Sequence, residues 1–177
     1  MKTFKIGGVH PPENKLSAGK PTKKLELPNQ AIISLAQNLG APSIPLVKKG
    51  DKVKVGTVIA KPGAFVGAYL HSSVSGTVAK IDDVMDISGY KRSAVIIDVE
   101  GDEWEEEIDT SDELITECSL GPQEIIQKIE QAGIVGLGGA TFPSHVKLSP
   151  PPGYHAEVLI INAVECEPYL TSDHQLM

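Results

Sequence analysis

The 177-residue sequence has two cysteines, and this scarcity limits the sites that the chain can build. Cys118 and Cys166 lie far apart and show no CxxC spacing, so by themselves they form neither a structural zinc site nor an iron–sulfur cluster. We expect both to be reduced thiols. The histidines show no HxxH or HExxH spacing and no GxSxG motif occurs, so we predict no metal-binding residue, with His145 at most lining a pocket.

Long apolar runs and an excess of positive charge are also missing. No segment approaches the roughly 20 apolar residues of a membrane helix, and the start at residues 1–5 lacks the apolar region of a signal peptide. The net charge of −7 argues against binding to nucleic acid, which requires clustered Lys and Arg. The lysine-rich segments 20–24 and 48–54 and the acidic run 103–107 are interpreted as solvated faces. A cytoplasmic protein without a nucleic-acid partner is therefore expected.

The first forty residues predict an extended arm followed by a helix. Residues 1–28 are interrupted by glycine and proline, so they are predicted to be an arm with short apolar pieces such as residues 4–6. Asn29 is a suitable N-cap and Gly40 a suitable stop for a helix between them. The apolar face of that predicted helix comprises Ile32, Ile33, Ala36 and Leu39.

The segment from Ile44 to Val99 has the alternation and the glycine turns of short strands. Apolar residues alternate within residues 53–60 and 68–81, and the run at residues 93–99 closes the series. Short strands separated by glycine turns predict a small β barrel or sandwich. We place this domain at residues 29–100.

Two sequences within this segment carry a resemblance. VKKGDKVKVG at residues 47–56 and VSGTV at residues 74–78 resemble the half-motifs of biotinyl and lipoyl domains, which form a barrel-sandwich hybrid. The resemblance raises the hypothesis of a carrier domain with a modified lysine. No Met-Lys-Met occurs, however, and Lys52 follows Asp51 within a glycine-turn half-motif instead of at a hairpin tip. The pattern therefore favours a purely structural barrel.

The second half of the chain begins with an acidic linker at residues 101–120 and continues with a domain at residues 121–177. Gly121 and Pro122 open a predicted helix that ends at Gly133 and has an apolar stripe, comprising Ile125, Ile126, Ile129 and Ala132. The glycine loop follows, with Gly136, Gly138 and Gly139, and Pro143 is placed to begin a short helix. Such a loop can cradle a phosphate, or it can be a flexible connector between helices.

A predicted strand and an acidic loop come next. Residues 157–162 are predicted to be a buried parallel strand, because the four residues between Glu157 and Asn162 are all apolar and branched. In α/β sheets, ligands bind at the carboxyl ends of the strands, and that end would carry Asn162, Glu165 and Glu167. The two glutamates can alternatively cap a helix that begins near Pro168. A Rossmann site is disfavoured, because a helix and not a strand precedes the glycines.

The two loops together resemble known electron-transfer proteins. GLGGATFPSHVK at residues 136–147 and NAVECEP at residues 162–168 are similar to the GRGGAGFPTGLKW and NADEGEP loops of the flavin- and NADH-binding subunit of respiratory complex I. The resemblance to the C subunit of the Rnf ion-translocating electron-transport complex is closer and covers nearly the whole chain. It includes GGVHPPE at residues 7–13. The chain is thus expected to combine α and β structure, with the barrel-sandwich hybrid followed by the start of an α/β flavin-binding domain.

The resemblance implies a role for each matched position. Gly136, Gly138 and Gly139 would approach the phosphate of FMN, and Lys147 would balance the charge of the phosphate or of the reduced ring. Asn162 would hold the flavin, whereas Glu165 and Glu167 would contact NAD(H). No side chain is expected to be catalytic, because the flavin performs the chemistry.

The family also implies partners and further cofactors. The expected function is that of a subunit in a membrane-bound complex that couples electron transfer between NADH and ferredoxin to ion translocation. Two [4Fe–4S] clusters are expected beyond Met177, so the chain is interpreted as an inactive N-terminal fragment of an oxidoreductase subunit. It would lie on the inner face of the cell membrane, held there by partner subunits. The alternative is a non-catalytic barrel scaffold that docks membrane partners.

Overall fold

A computed structural model describes residues 11–113 and 115–173. Its described residues divide into two compact units, one within residues 26–154 and the other formed by residues 11–25 together with residues 155–173. The predicted apolar piece at residues 4–6, most of the GGVHPPE motif and the expected end of the fragment at Met177 lie outside the described residues. The predicted division at residues 29–100, 101–120 and 121–177 remains a prediction.

The larger unit contains a β barrel-sandwich hybrid built from two antiparallel sheets. The first sheet has the strand order β1-β7-β6-β3 and the second has the order β2-β4-β5. The strands are β1 (Gln30–Ser34), β2 (Ile44–Pro45), β3 (Lys52–Val53), β4 (Val58–Lys61), β5 (Leu70–His71), β6 (Ser75–Met85) and β7 (Lys91–Gly101). The prediction of a barrel-sandwich hybrid from the two half-motifs is confirmed.

The barrel core lies between the two sheets. Val78 of β6 and both Val95 and Ile97 of β7 are completely buried beside Ile59 from the second sheet. Complete burial of such a side chain stabilises the fold by about 1.5–3 kcal/mol. The long β6–β7 hairpin therefore holds the two sheets together.

The predicted helix between Asn29 and Gly40 is wrong, because this segment begins with strand β1. β1 pairs antiparallel with β7, and Ile33 lies opposite Val95. Ile33 is 9% exposed and Leu35 is 3% exposed, whereas Ile32 is 56% exposed. This alternation has the period of a strand, and β-branched side chains fit a half-buried sheet well. Pairing with β7, more than sixty residues away, decided between the two patterns.

The acidic segment after β7 is bound to the barrel. Val55 donates its N–H to Glu103 at 2.8 Å and accepts the N–H of Glu105 at 3.0 Å, so Trp104 forms a parallel bridge with Val55. Lys54 pairs with Glu103 at 2.7 Å, which raises the pKa of this lysine above its ordinary value. The first residues of the predicted linker thus extend the barrel through their backbone, while most side chains of residues 103–107 remain exposed, as predicted for a solvated face.

Two helices follow within the same unit. Helix α1 (Pro122–Gln131) begins where predicted, with the Glu124 carboxylate accepting the Gly121 N–H at 2.8 Å. Helix α2 (Ser144–Lys147) is one turn long and has Pro143 at its N-cap. Both predicted helices are confirmed, with α2 starting one residue after Pro143. No helix in the described part of the chain has the length and the apolar character needed to traverse a lipid bilayer.

In the smaller unit, the predicted buried strand at residues 157–162 is wrong. These residues form no strand, and Val158, Leu159 and Ile160 are each more than 70% exposed. A strand requires a neighbour that pairs with its backbone, and among residues 11–113 and 115–173 no segment pairs with it. An apolar run therefore did not suffice to predict a strand here.

Candidate functional site

The glycine loop is closed at its base by backbone hydrogen bonds. Gly136 donates its N–H to Phe142 at 2.9 Å, and Ser144 donates to Ile134 at 2.9 Å. An isolated antiparallel bridge between Val135 and Pro143 lies between these bonds. Residues 137–140 form the turn that connects the two sides. The loop is thus a defined hairpin whose ends are fixed.

The glycines of the turn leave open space that a ligand can approach. No atom lies within 4 Å of the position that a Cβ would take at Gly138 or at Gly139, and Gly139 has φ +109°. At Gly136 a Cβ would lie 2.5 Å from Nζ of Lys147, the last residue of α2. The Lys147 ammonium therefore lies against the loop backbone. An open glycine turn beside a cation suits an anionic group such as a phosphate.

The end of α1 is docked tightly on the barrel. Gly133 has φ +67°, and a Cβ at this position would overlap the carbonyl oxygen of Tyr69, immediately before β5. Leu39 donates its N–H to the carbonyl oxygen of Thr141 at 3.2 Å. These contacts fix the start and the end of the glycine loop against the same barrel.

Two histidines take part in this docking. Burial lowers the pKa of His71, although a hydrogen bond from its ring to the carbonyl oxygen of Gln131 in α1 acts in the opposite direction. His145 in α2 is 5% exposed, and its ring meets Phe65 edge to face with 6.5 Å between the ring centroids. His145 is thus a buried packing residue beside Phe65 and belongs to the support of the loop.

The acidic loop belongs to the smaller unit. Asn162 accepts the N–H of Val164 on its side-chain oxygen at 3.1 Å. Glu165 accepts the N–H of Asp173 on Oε1 at 2.8 Å. In the part of the chain that the structure describes, no helix begins near Pro168, so the predicted cap at that position is absent, and Glu165 binds the backbone of Asp173 instead. One carboxylate oxygen of Glu165 is used in this way, and a carboxylate has further acceptor capacity for a ligand.

The N-terminal arm holds the chain that follows the acidic loop. Lys15 Nζ donates to the carbonyl oxygen of Leu170 at 2.6 Å and to that of Glu167 at 3.1 Å. Ser17 and Thr171 share a hydroxyl hydrogen bond of 2.6 Å. No local pattern in the sequence indicates these contacts, because the paired residues are more than 150 positions apart.

The predicted site residues thus fall into two groups. Gly136, Gly138, Gly139 and Lys147 share one loop and one short helix in the larger unit, and Lys147 contacts the loop directly. Asn162, Glu165 and Glu167 lie on one loop of the smaller unit. Their assignment to cofactor and nucleotide remains a prediction. The residues that sequence reasoning missed are the supporting ones, above all Lys15, Tyr69 and Phe65.

Two family models match the chain. The model of the RnfC barrel sandwich hybrid domain matches residues 2–102, and that of the Nuo51 FMN-binding domain matches residues 129–177. The first match covers the barrel, and the second begins within α1 and includes both loops. The sequence resemblance to these two families is therefore confirmed.

Curated relatives match along the whole chain. The C subunit of the proton-translocating ferredoxin:NAD(+) oxidoreductase complex from Clostridium ljungdahlii is 46% identical over 179 residues, which cover 100% of this chain and 38% of the relative. The C subunit of the Na(+)-translocating ferredoxin:NAD(+) oxidoreductase complex from Acetobacterium woodii is 42% identical and covers 99% of this chain and 39% of the relative. The C subunit of the ion-translocating oxidoreductase complex from Rhodobacter capsulatus is 36% identical, and the match covers 100% of this chain and 34% of the relative. The chain thus spans less than two fifths of the length of these relatives.

Proposed function

The chain belongs to the RnfC family, the C subunits of ion-translocating oxidoreductase complexes, and on that basis we propose that it contributes a flavin site to such a complex. The complex would couple electron transfer between NADH and ferredoxin to ion translocation, as the names of two relatives state for those proteins. The observation that carries the proposal is the Lys147 ammonium against an open glycine turn. The match of residues 129–177 to an FMN-binding domain supports it.

The residues of the larger unit fit the phosphate of FMN. Gly138 and Gly139 leave the turn open, and Lys147 supplies a positive charge beside Gly136. Helix α2 is a single turn, so its dipole adds little to the binding of an anion, and the glycines and Lys147 are the main determinants. Bound FMN would supply the exchange between two-electron and one-electron transfer, while the protein would hold and orient it.

The acidic loop of the smaller unit would contribute an amide and two carboxylates. The oxygen of the Asn162 side chain is engaged by Val164, which leaves the NH₂ group to donate to a flavin oxygen or nitrogen. Glu165 and Glu167 would accept hydrogen bonds from the hydroxyl or amide groups of NAD(H). Two unit charges 4 Å apart repel by about 4 kcal/mol at an effective dielectric constant near 20 and by about 1 kcal/mol in water. The carboxylates must therefore stay hydrated or be balanced by a cation.

Further parts of the proposal concern the complete subunit. Two [4Fe–4S] clusters would be bound by cysteines beyond Met177 and would receive electrons singly. Other subunits of the complex would hold the protein at the inner face of the membrane. The relatives are named as members of complexes, which supports association with partner subunits.

The proposal is tested by a titration of the complete subunit with FMN, followed by addition of NADH under anaerobic conditions. Binding of FMN and loss of flavin absorbance on addition of NADH are expected. Lys147→Met should weaken FMN binding by about tenfold, as expected for the loss of one charge-assisted contact. Lys49→Met, at an exposed barrel position, is the matched control. A subunit that binds neither FMN nor NADH would leave the non-catalytic scaffold as its function.

A further inference from the structure

We propose that Lys15 is a positioning residue of the nucleotide site, acting through the backbone of the acidic loop. This inference rests on the proposed function, in which Glu165 and Glu167 contact NAD(H). Lys15 does not touch the carboxylates in the contacts described above. Its ammonium instead binds two carbonyl oxygens of the turn that follows them.

The geometry around Lys15 is that of a cation capping a turn. The carbonyl oxygens of Glu167 and Leu170 lie 3.1 and 2.6 Å from Nζ, and the Leu170 N–H also points back to the Glu167 oxygen at 3.3 Å. An ammonium has three donors, so it can bind both carbonyls at once. The ammonium therefore fixes the direction in which the chain leaves Glu167.

Neighbouring residues of the arm strengthen this attachment. Ser17 binds Thr171 by a hydroxyl hydrogen bond of 2.6 Å, and Asn14 donates to the Tyr169 hydroxyl at 3.4 Å. Three arm residues within four positions thus bind the turn at residues 167–171. These hydrogen bonds attach the turn to a part of the arm more than 150 positions away in the sequence.

The other end of the same loop is held by Glu165 itself. Its Oε1 accepts the N–H of Asp173 at 2.8 Å, so residues 165–173 form a loop closed on itself. Lys15 and Ser17 bind the middle of that loop from the arm. Because the carboxylate of Glu165 takes part in closing the loop, a change in the path of residues 167–171 alters where that carboxylate is held.

This arrangement predicts separate effects on the two ligands. The segment that the arm holds, residues 167–171, begins at the second of the two glutamates assigned to NAD(H). Asn162, assigned to the flavin, precedes that segment and keeps its own hydrogen bond to Val164, and the glycines and Lys147 assigned to the FMN phosphate belong to the other compact unit. Loss of the Lys15 ammonium should therefore weaken NAD(H) binding and leave FMN binding unchanged. A purely structural role in the arm would change neither affinity selectively.

The experiment uses the complete subunit with FMN bound and compares Lys15→Met, Lys15→Arg and the control Lys23→Met, a lysine at an exposed position of the same arm. NAD⁺ and NADH affinities are measured by fluorescence titration, and hydrogen exchange follows the amides of Leu170 and Asp173. We expect Lys15→Met to weaken NADH binding about tenfold with FMN affinity unchanged. Both amides should exchange faster, and Lys15→Arg should restore affinity and protection.

Three results would overturn the inference. Unchanged NADH affinity in Lys15→Met, with or without faster exchange, would make Lys15 a structural residue only. An equal loss of FMN and NADH binding would mean that the arm supports the whole protein. No rescue by Lys15→Arg would show that a cation at this turn is not what matters. Failure of the unmodified subunit to bind NADH at all would instead refute the proposed function, so the two failures are distinguishable.

Discussion

Substitution of Gly133 by Ala tests how the glycine loop is held on the barrel. Gly133 follows the C-cap of α1 with φ +67°, and a Cβ there would overlap the carbonyl oxygen of Tyr69. Alanine therefore meets two difficulties, an unfavourable backbone conformation and a collision with backbone that cannot rotate away. Gly89, in the β6–β7 turn, has φ +81° and no atom within 4 Å of a Cβ position. Gly89→Ala is thus a matched control that keeps the first difficulty and lacks the second.

The magnitudes separate the two variants. Left-handed backbone costs alanine about 1–2 kcal/mol, and the lower entropy of the unfolded chain returns about 0.4–1 kcal/mol. Gly89→Ala should therefore cost about 0–1.6 kcal/mol of global stability. The collision at Gly133 adds about 1–3 kcal/mol, the usual cost of forcing an extra methyl group into a packed contact. The barrel and α1 must separate to relieve it, so this cost falls on the docking.

Two assays report the docking and the barrel separately. Leu39 donates its N–H to Thr141 across the contact between barrel and glycine loop, so hydrogen exchange at Leu39 measures how often this contact opens. The chain has a single tryptophan, Trp104, which is bridged to Val55 of the barrel, so its fluorescence in urea follows unfolding of the barrel. Gly133→Ala should speed exchange at Leu39 by about fivefold or more. In this variant, the free energy of barrel unfolding in urea should fall by less than the free energy of opening measured at Leu39.

The reasoning is refuted if Leu39 exchanges equally fast in Gly133→Ala and in the unmodified protein. It is also refuted if Gly89→Ala speeds exchange at Leu39 as much as Gly133→Ala does. Either result would mean that the close approach of Gly133 to Tyr69 does not hold the loop. If the urea midpoint followed by Trp104 fluorescence fell strongly and equally in both variants, the substitutions would instead destabilise the barrel as a whole.

Three further substitutions test the site and its support. Gly138→Ala adds a methyl group in open space, so stability in urea should stay the same while FMN affinity falls. An unchanged FMN affinity would show that Gly138 does not belong to the phosphate site. Glu165→Gln keeps an acceptor for the Asp173 N–H and removes the charge, so NADH binding should weaken with FMN retained; equal loss of both would reassign Glu165 to the flavin. Burial lowers the pKa of His71, so the unfolded chain binds that proton more tightly and stability should fall as the pH drops below about 6.5. His71→Gln should flatten the dependence of the urea midpoint on pH in this range, and an unaltered slope in this variant would exclude His71 as its source.

Local patterns predicted the barrel and α1 well. Short alternating strands with glycine turns were sufficient for β4, β6 and β7, because the side-chain period of a half-buried strand is visible in the sequence. The ends of α1 could be predicted from Pro122 and Gly133. Proline suits the first turn of a helix, and glycine readily adopts the positive φ found just after a helix ends. The half-motifs at residues 47–56 and 74–78 then identified the fold family, which the barrel family model confirms.

Long-range pairing explains the incorrect predictions. Ile32 and Ile33 are compatible with a helix face and with a strand, and the pairing of β1 with β7 made the choice. Residues 157–162 have the composition of a buried strand, yet no described segment pairs with them and their side chains are exposed. Composition indicates a preference, whereas a strand forms only where another strand satisfies its backbone.

The sequence by itself determined the barrel, the glycine loop and the residues that carry the family resemblance, because these depend on local backbone chemistry and on motifs. Tertiary structure decided what supports the loops: the Lys147 ammonium against Gly136, the barrel beneath Gly133, and the Lys15 ammonium on the carbonyls of Glu167 and Leu170. Such contacts join residues that are distant in the sequence. No local pattern encodes them, since hydrogen bonding and close packing depend on where the folded chain brings those atoms together.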